Sequence, residues 1–222
     1  MTRLFAALFL CLTAASSAGA GAWLREQGQG FTAVSAIGRS DTSLRSPHYE
    51  TSLYAEYGLK PRLTLGLDAN ERPGSSGHAL IFVRLPIRRD PGAARIAVEL
   101  GLGGHHLGPQ WDAMYKAALS YGRGFSGVGG GWLAIDAAVE YRSATAGPLY
   151  KLDATLGLPS KRRIRPMIQL ETAYLNGAGF LWALTPSLIL PGKNGREWVF
   201  GVETRSAATQ TIGLKLSLWK KF

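Results

Sequence analysis

The chain is nearly devoid of cysteine. Its single thiol, Cys11, lies in an apolar run near the start, so the residues beyond it can form neither a disulfide nor a thiolate metal site. Long apolar runs are missing as well. The stretch from Leu4 to Ala15 falls short of the roughly 20 residues a helix needs to cross a bilayer, and nothing later in the chain approaches that length, which excludes a helical membrane protein. Acidic residues are scarce: 15 Asp and Glu stand against 25 Lys and Arg, a formal charge of +10. The excess is scattered. Arg88-Arg89, Lys161-Arg162-Arg163 and Lys220-Lys221 are short runs beside turn residues or at the chain end, and none makes the continuous basic surface that nucleic acid requires. Nucleic acid is therefore not an expected partner, whereas anionic lipid headgroups suit dispersed positive charge.

Residues 1–22 combine Arg3, the apolar run and a small-residue ending, Ala18-Gly19-Ala20-Gly21-Ala22. That is the pattern of a secretory signal peptide, so the expected mature domain is 23–222. Leu8-Phe9-Leu10 ahead of Cys11 lacks the small residues expected before a lipid-modified cysteine.

A period of two then recurs through the chain. In Leu63-Thr64-Leu65-Gly66-Leu67-Asp68-Ala69-Asn70 the odd positions are apolar and the even ones polar or small, which is strand alternation with one greasy face and one wet face. The pattern predicts about twelve strands of about ten residues, the length of a tilted membrane-crossing strand. They fall near 30–40, 49–59, 62–71, 78–88, 94–105, 113–123, 131–142, 148–158, 163–175, 180–190, 196–206 and 210–222. The weak segments near 30–40 and 180–190 leave ten strands as the alternative. Turn formers separate the strands: Lys60-Pro61, Pro73-Gly74-Ser75-Ser76-Gly77, Asp90-Pro91-Gly92, Gly108-Pro109, Gly147-Pro148, Asn176-Gly177 and Lys193-Asn194-Gly195. Such short links favour sequential antiparallel hairpins.

The parity of the charges discriminates between barrel types. In Arg95-Ile96-Ala97-Val98-Glu99-Leu100-Gly101-Leu102 one face is purely apolar and the other charged or small. The same split places Glu56, Asp68, Arg84, Glu99, Lys116, Asp136, Asp153, Glu171, Glu203 and Lys215 on the wet side, and with Arg88, Glu140, Lys151, Arg165 and Arg205 at the same parity the two signs nearly balance. A soluble ligand-binding barrel has the reverse arrangement, apolar inside and charged outside. Lipid outside and a polar lumen inside account for the observed one, and in lipid every backbone group must be paired, which closes the sheet. Tyr57, Tyr115, Tyr121, Tyr141, Tyr150, Tyr174, Phe180, Trp182 and Trp198 share the apolar parity, mostly near segment ends, as interfacial girdles do. The fold class expected is all-β: a closed antiparallel transmembrane β-barrel with short loops.

The final segment, Thr211-Ile212-Gly213-Leu214-Lys215-Leu216-Ser217-Leu218-Trp219-Lys220-Lys221-Phe222, alternates and closes on an aromatic. It resembles the C-terminal strand of Gram-negative outer-membrane barrels, in which the final aromatic is the signal read by the barrel assembly machinery. Lys220 departs from the apolar residue usual at its parity. The hairpin Ala55-Glu56-Tyr57-Gly58-Leu59-Lys60-Pro61-Arg62-Leu63-Thr64-Leu65-Gly66-Leu67 resembles the tight periplasmic Tyr-Gly-Leu hairpin of transporter-like barrels. The resemblance implies residence in outer-membrane lipid, assembly through Phe222, both termini in the periplasm, and passage of a small polar or charged solute.

Other chemistry finds little footing. His48, His78, His105 and His106 lie near expected outer strand ends. Some outer-membrane barrels are lipid hydrolases with a lipid-facing serine and histidine, and His106 has the outward parity for that, but no adjacent serine shares it. Neighbouring strand residues point to opposite faces, so His105 and His106 cannot share a metal, and no metal or cofactor is expected. The glycines between Gly122 and Gly131 lack the Lys-Ser/Thr and the helix of a phosphate loop.

Overall fold

The computed structural model describes residues 21–40, 48–88, 94–126, 130–143, 145, 147–159, 163–176, 179–206 and 211–222. Twelve strands follow one another along the chain: β1 (Gly30–Ser40), β2 (His48–Lys60), β3 (Leu63–Arg72), β4 (Ser76–Arg88), β5 (Ala94–Leu107) and β6 (Trp111–Phe125), then β7 (Gly131–Arg142), β8 (Leu149–Gly157), β9 (Arg165–Leu175), β10 (Gly179–Pro191), β11 (Arg196–Arg205) and β12 (Thr211–Lys221). Each pairs antiparallel with its sequence neighbours, and β1 pairs with β12, from Phe31 opposite Lys221 to Ser40 opposite Ile212. The sheet is thus a closed up-and-down barrel without an edge. The segments near 30–40 and 180–190 both form strands, so the count is twelve. The sites of Asp90-Pro91-Gly92 and of Gly177 lie outside the described residues.

Alternation sets the two faces. Val34, Ile81, Leu100, Leu102, Leu152 and Leu214 stand outward, each more than half exposed. A surface this apolar is unstable in water and matches hydrocarbon. Tyr57, Tyr115, Tyr141, Tyr150, Tyr174, Phe180 and Trp198 are exposed on the same outer face. Lys220, the charge at an apolar parity, lies with its Nζ 5.9 Å from the centre of the Phe222 ring, so a cation–π contact accommodates it at the barrel rim. At the β10–β11 hairpin Asn194 and Gly195 both take positive φ, 57° and 71°, a left-handed pair that suits a tight strand reversal.

The interior is not uniformly polar. Leu80, Phe82 and Met114 form one buried apolar cluster, with Tyr54 against it, and the Tyr54 and Phe82 rings stack at 5.7 Å. Met167, Ile189 and Val199 form a second, flanked by Trp132 and Trp219. The expectation that the inner face carries only charged or small residues therefore holds for part of the wall. Large rings enter where glycine stands beside them: a Cβ on Gly66 would collide with the Phe82 ring, and one on Gly157 with the Trp132 indole.

A further departure lies before β1. Residues 21–29 run inside the barrel. Gln27 bridges to Gly58 in parallel, Gly28 N donates to Gly58 O at 2.9 Å, and Gly58 N donates to Gln29 O at 3.0 Å. Trp23 meets Trp132 edge to face at 6.2 Å, and its ring and the Ala22 methyl fill the space above Gly122.

Candidate functional site in the lumen

The inward charges assemble on the wall through strand register. Glu56 on β2, Arg84 on β4 and Glu99 on β5 meet at the inner face because β2, β3, β4 and β5 are adjacent staves and all three residues have inward parity. Arg84, 3% exposed, contacts Glu56 Oε1 through Nη1, donates through Nη2 to Glu99 Oε2 at 2.5 Å, and reaches the Tyr54 hydroxyl at 2.8 Å. The chain of charges continues at both ends. Arg25 of the N-terminal segment lies 2.6 Å from Glu56, and Lys116 lies 3.0 Å from Glu99 and 3.7 Å from Asp68. His78 stands 3.5 Å from the same Asp68. Five of the ten wet-side residues, Glu56, Asp68, Arg84, Glu99 and Lys116, thus form one network. Alternating signs within a poorly solvated interior make each member dependent on its neighbours, since a buried charge is tolerated only when paired.

Glu203 belongs to a second network. Arg39 binds it with two nitrogens, at 2.7 and 3.1 Å, and also reaches Glu50 at 2.6 Å. Glu50 takes Arg72 at 3.0 Å, and Arg205 lies 2.9 Å from Glu203. This belt joins β1, β2, β3 and β11 close to the rim remote from the chain termini and fastens the wall there.

The other four residues line an open space. A cavity of about 340 Å³ occupies the lumen, and Asp136, Asp153, Glu171 and Lys215 all face it, as do Asp68, Arg84, Glu99 and Lys116. Lys215 Nζ lies 3.3 Å from Gln169 Oε1, and Asp153 accepts the Thr172 backbone N–H at 3.1 Å. Asp136 is opposite Asp153 in the β7–β8 register. Among the described residues none of Asp136, Asp153 and Glu171 has a cation within ion-pair distance, in contrast to every carboxylate of the two networks. The cavity therefore offers lysine ammonium groups together with three carboxylates that no cation among the described residues neutralises by direct contact.

The twelve-strand closed wall, apolar outside and carrying both charge signs inside, permits comparison with known proteins. No protein family matches the chain, and no curated protein is similar to it in sequence. Solved structures are similar to it in shape. The NanC porin superposes with a TM-score of 0.64 at 12% identity, over 86% of this chain and 100% of that one. A KdgM porin in complex with disordered oligogalacturonate gives 0.61 at 9% identity, over 86% and 99%. An outer-membrane channel from Pseudomonas putida F1 gives 0.58 at 11% identity, over 92% and 99%.

The chain has the outer-membrane β-barrel fold.

Within this barrel the residues missed by sequence reasoning are those of the lumen filling. Trp23 and Arg25 precede the first alternating segment and carry no periodic signal. Leu80, Phe82 and Met114 have inward parity, and the unbroken apolar run Ala79 to Val83 is the trace they leave, because a strand buried on both faces loses its alternation. His78 joins the lumen network through Asp68, whereas His105 and His106 do not line the cavity. His106 faces outward: its Nδ1 lies 2.7 Å from the Gly108 carbonyl, its Nε2 2.9 Å from Glu71 Oε2, and its ring lies 4.7 Å from that of Trp111. Both ring nitrogens are engaged, so neither is placed to take a proton from a nucleophile. His105 is buried, with Nε2 3.0 Å from Ser143 O.

Proposed function

We propose that the chain is a narrow outer-membrane channel for small polar or charged solutes, exported by an N-terminal signal that is removed and assembled through its last strand. The charged cavity inside a closed barrel carries this reading. A lumen that served only to fill the wall would pair its carboxylates, whereas Asp136, Asp153 and Glu171 face open volume. Passage needs binding strong enough to admit a solute and weak enough to release it, which mixed charges at moderate exposure provide. The similarity in fold to porins supports the reading. Phe222 is suited to its role in assembly: its ring covers Gly30, and its backbone pairs with Gly30 in both directions, at 2.6 and 3.1 Å, so the terminal residue completes the seam.

The test is single-channel conductance in a planar bilayer, with heat-modifiable gel mobility as the control for folding. Stable steps, with ion selectivity altered in Glu99→Ala or Lys116→Ala, are expected. The buried apolar clusters and residues 21–29 favour a second reading, a barrel whose lumen is closed. A folded protein that never conducts would establish it and sink the channel.

A further inference from the structure

Residues 21–29 enter the lumen and end at a carboxylate. A Cβ on Gly21 would collide with Asp136 Oδ1 and stand 2.6 Å from Ser120 Oγ, so the Gly21 backbone lies against the Asp136 carboxylate near the middle of β7. The path down to β1 is fastened at each step. Ala22 is buried, Trp23 packs on Trp132, Arg25 binds Glu56 through Nε at 2.6 Å and the Thr64 hydroxyl through its backbone N–H at 3.0 Å, and Gln27 bridges to Gly58. The far end of the path is where charge is missing. Asp136 is directly opposite Asp153, and like charges in facing positions destabilise a sheet unless a cation lies between or beside them.

Ala18-Gly19-Ala20 and Ala20-Gly21-Ala22 both satisfy the small-x-small pattern of a signal cleavage site. Cleavage after Ala22 would remove Gly21, which lies against Asp136, and the Ala22 methyl beside Gly122. Cleavage after Ala20 would leave Gly21 as the first residue, with a free α-ammonium on a backbone that lies against the Asp136 carboxylate. We propose that the signal is removed between Ala20 and Gly21, and that the new Gly21 α-ammonium pairs with Asp136 and seats residues 21–29 as a built-in constriction of the lumen. The step is hydrolysis of one peptide bond: water supplies the hydroxyl to the Ala20 carboxylate and a proton to the new amine. Glycine suits the position because it has no side chain to press into Asp136 and Ser120. This places the signal boundary two residues before Ala22 and makes Asp136 a residue that sets the bore. It rests on the export reading above and is independent of whether the barrel conducts.

Three measurements test it on protein purified from outer membranes. Intact mass and N-terminal sequencing should find Gly21 first. A chain beginning at Trp23 would overturn the proposal, and one retaining Met1 would remove the export reading beneath it. An α-amine-selective aldehyde should label the folded protein about ten-fold more slowly than the urea-unfolded one, because the amine is reached only when the segment opens. In Asp136→Asn the folded protein should label faster, whereas equal rates in folded and unfolded wild type would refute the buried ammonium. Deletion of residues 21–27 leaves β1 intact and should enlarge the conductance step or open a silent barrel. A deletion variant that folds and behaves as wild type would refute the constriction.

Discussion

Replacement of Arg84 by methionine tests whether the central network holds the wall together. The guanidinium serves two carboxylates and a phenol: Glu56, Glu99 and the Tyr54 hydroxyl, and it lies over the Phe82 ring at 5.1 Å. Methionine retains much of the packing and removes the charge. Glu56 would retain Arg25 and the Tyr54 hydroxyl, and Glu99 would retain Lys116 at 3.0 Å. Removing one partner of a buried pair costs about 3 to 5 kcal/mol, and the retained partners put this case near the lower figure, about 3 kcal/mol. That corresponds to roughly a hundred-fold in the folded-to-unfolded ratio. Urea unfolding in lipid vesicles, followed by the fluorescence of the six tryptophans, reads it directly. The origin of the loss is separable: Arg84→Met with Glu99→Gln should recover at least about 1 kcal/mol, because the buried carboxylate that lost one of its two cations is gone. A single variant within about 0.5 kcal/mol of wild type, or a double variant worse than the sum of its parts, would refute the view that pairing at Arg84 supports the barrel.

Leu100 faces outward and is 56% exposed, so Leu100→Arg should destabilise the barrel by about 2 to 4 kcal/mol in vesicles if the site lies near the bilayer midplane. The same substitution in detergent micelles should cost less, and equal costs would argue against a lipid-facing position. Lys116→Ala removes a positive charge from the cavity, and the reversal potential under a salt gradient should move toward cation selectivity. Phe222→Ala should lower the amount of folded barrel in cells while purified protein still refolds in vesicles; an equal loss in both settings would locate the role of Phe222 in stability instead of assembly. His106→Ala should leave conductance unchanged, since the ring lies outside the lumen against Glu71 and Trp111.

The wall was legible because membrane strands obey a strict rule. Lipid on one side forces an apolar residue at every second position, so strands such as β5 can be traced from Ile96, Val98, Leu100 and Leu102 alone. Their bounds shift by at most a few residues, as at β6, where pairing extends to Trp111 opposite His106. The inward parity of Arg84, Glu99 and Lys116 follows from the same rule. Their grouping does not, because which inward residues meet depends on the stagger between staves. Arg39 and Glu203 lie 164 residues apart and touch only because β1 and β12 close the sheet. The segment with Trp23 and Arg25 follows no period, since it is held by a wall already formed. Inside the barrel no solvent imposes a rule on each position, so Phe82 and Trp132 could take inward sites as readily as a charge, given glycine beside them.

The seam between β1 and β12 also governs how the barrel can form. Phe31 and Lys221 are partners, so the ring cannot shut until the last strand has been made. Every earlier hairpin pairs locally and can form early, but each intermediate exposes two unpaired edges and an apolar face. Synthesis of the first strand and closure of the ring are therefore separated in time. A chain lacking β12 would leave β1 and β11 each with an unpaired edge, which makes the seam a checkpoint on completeness as well as a joint.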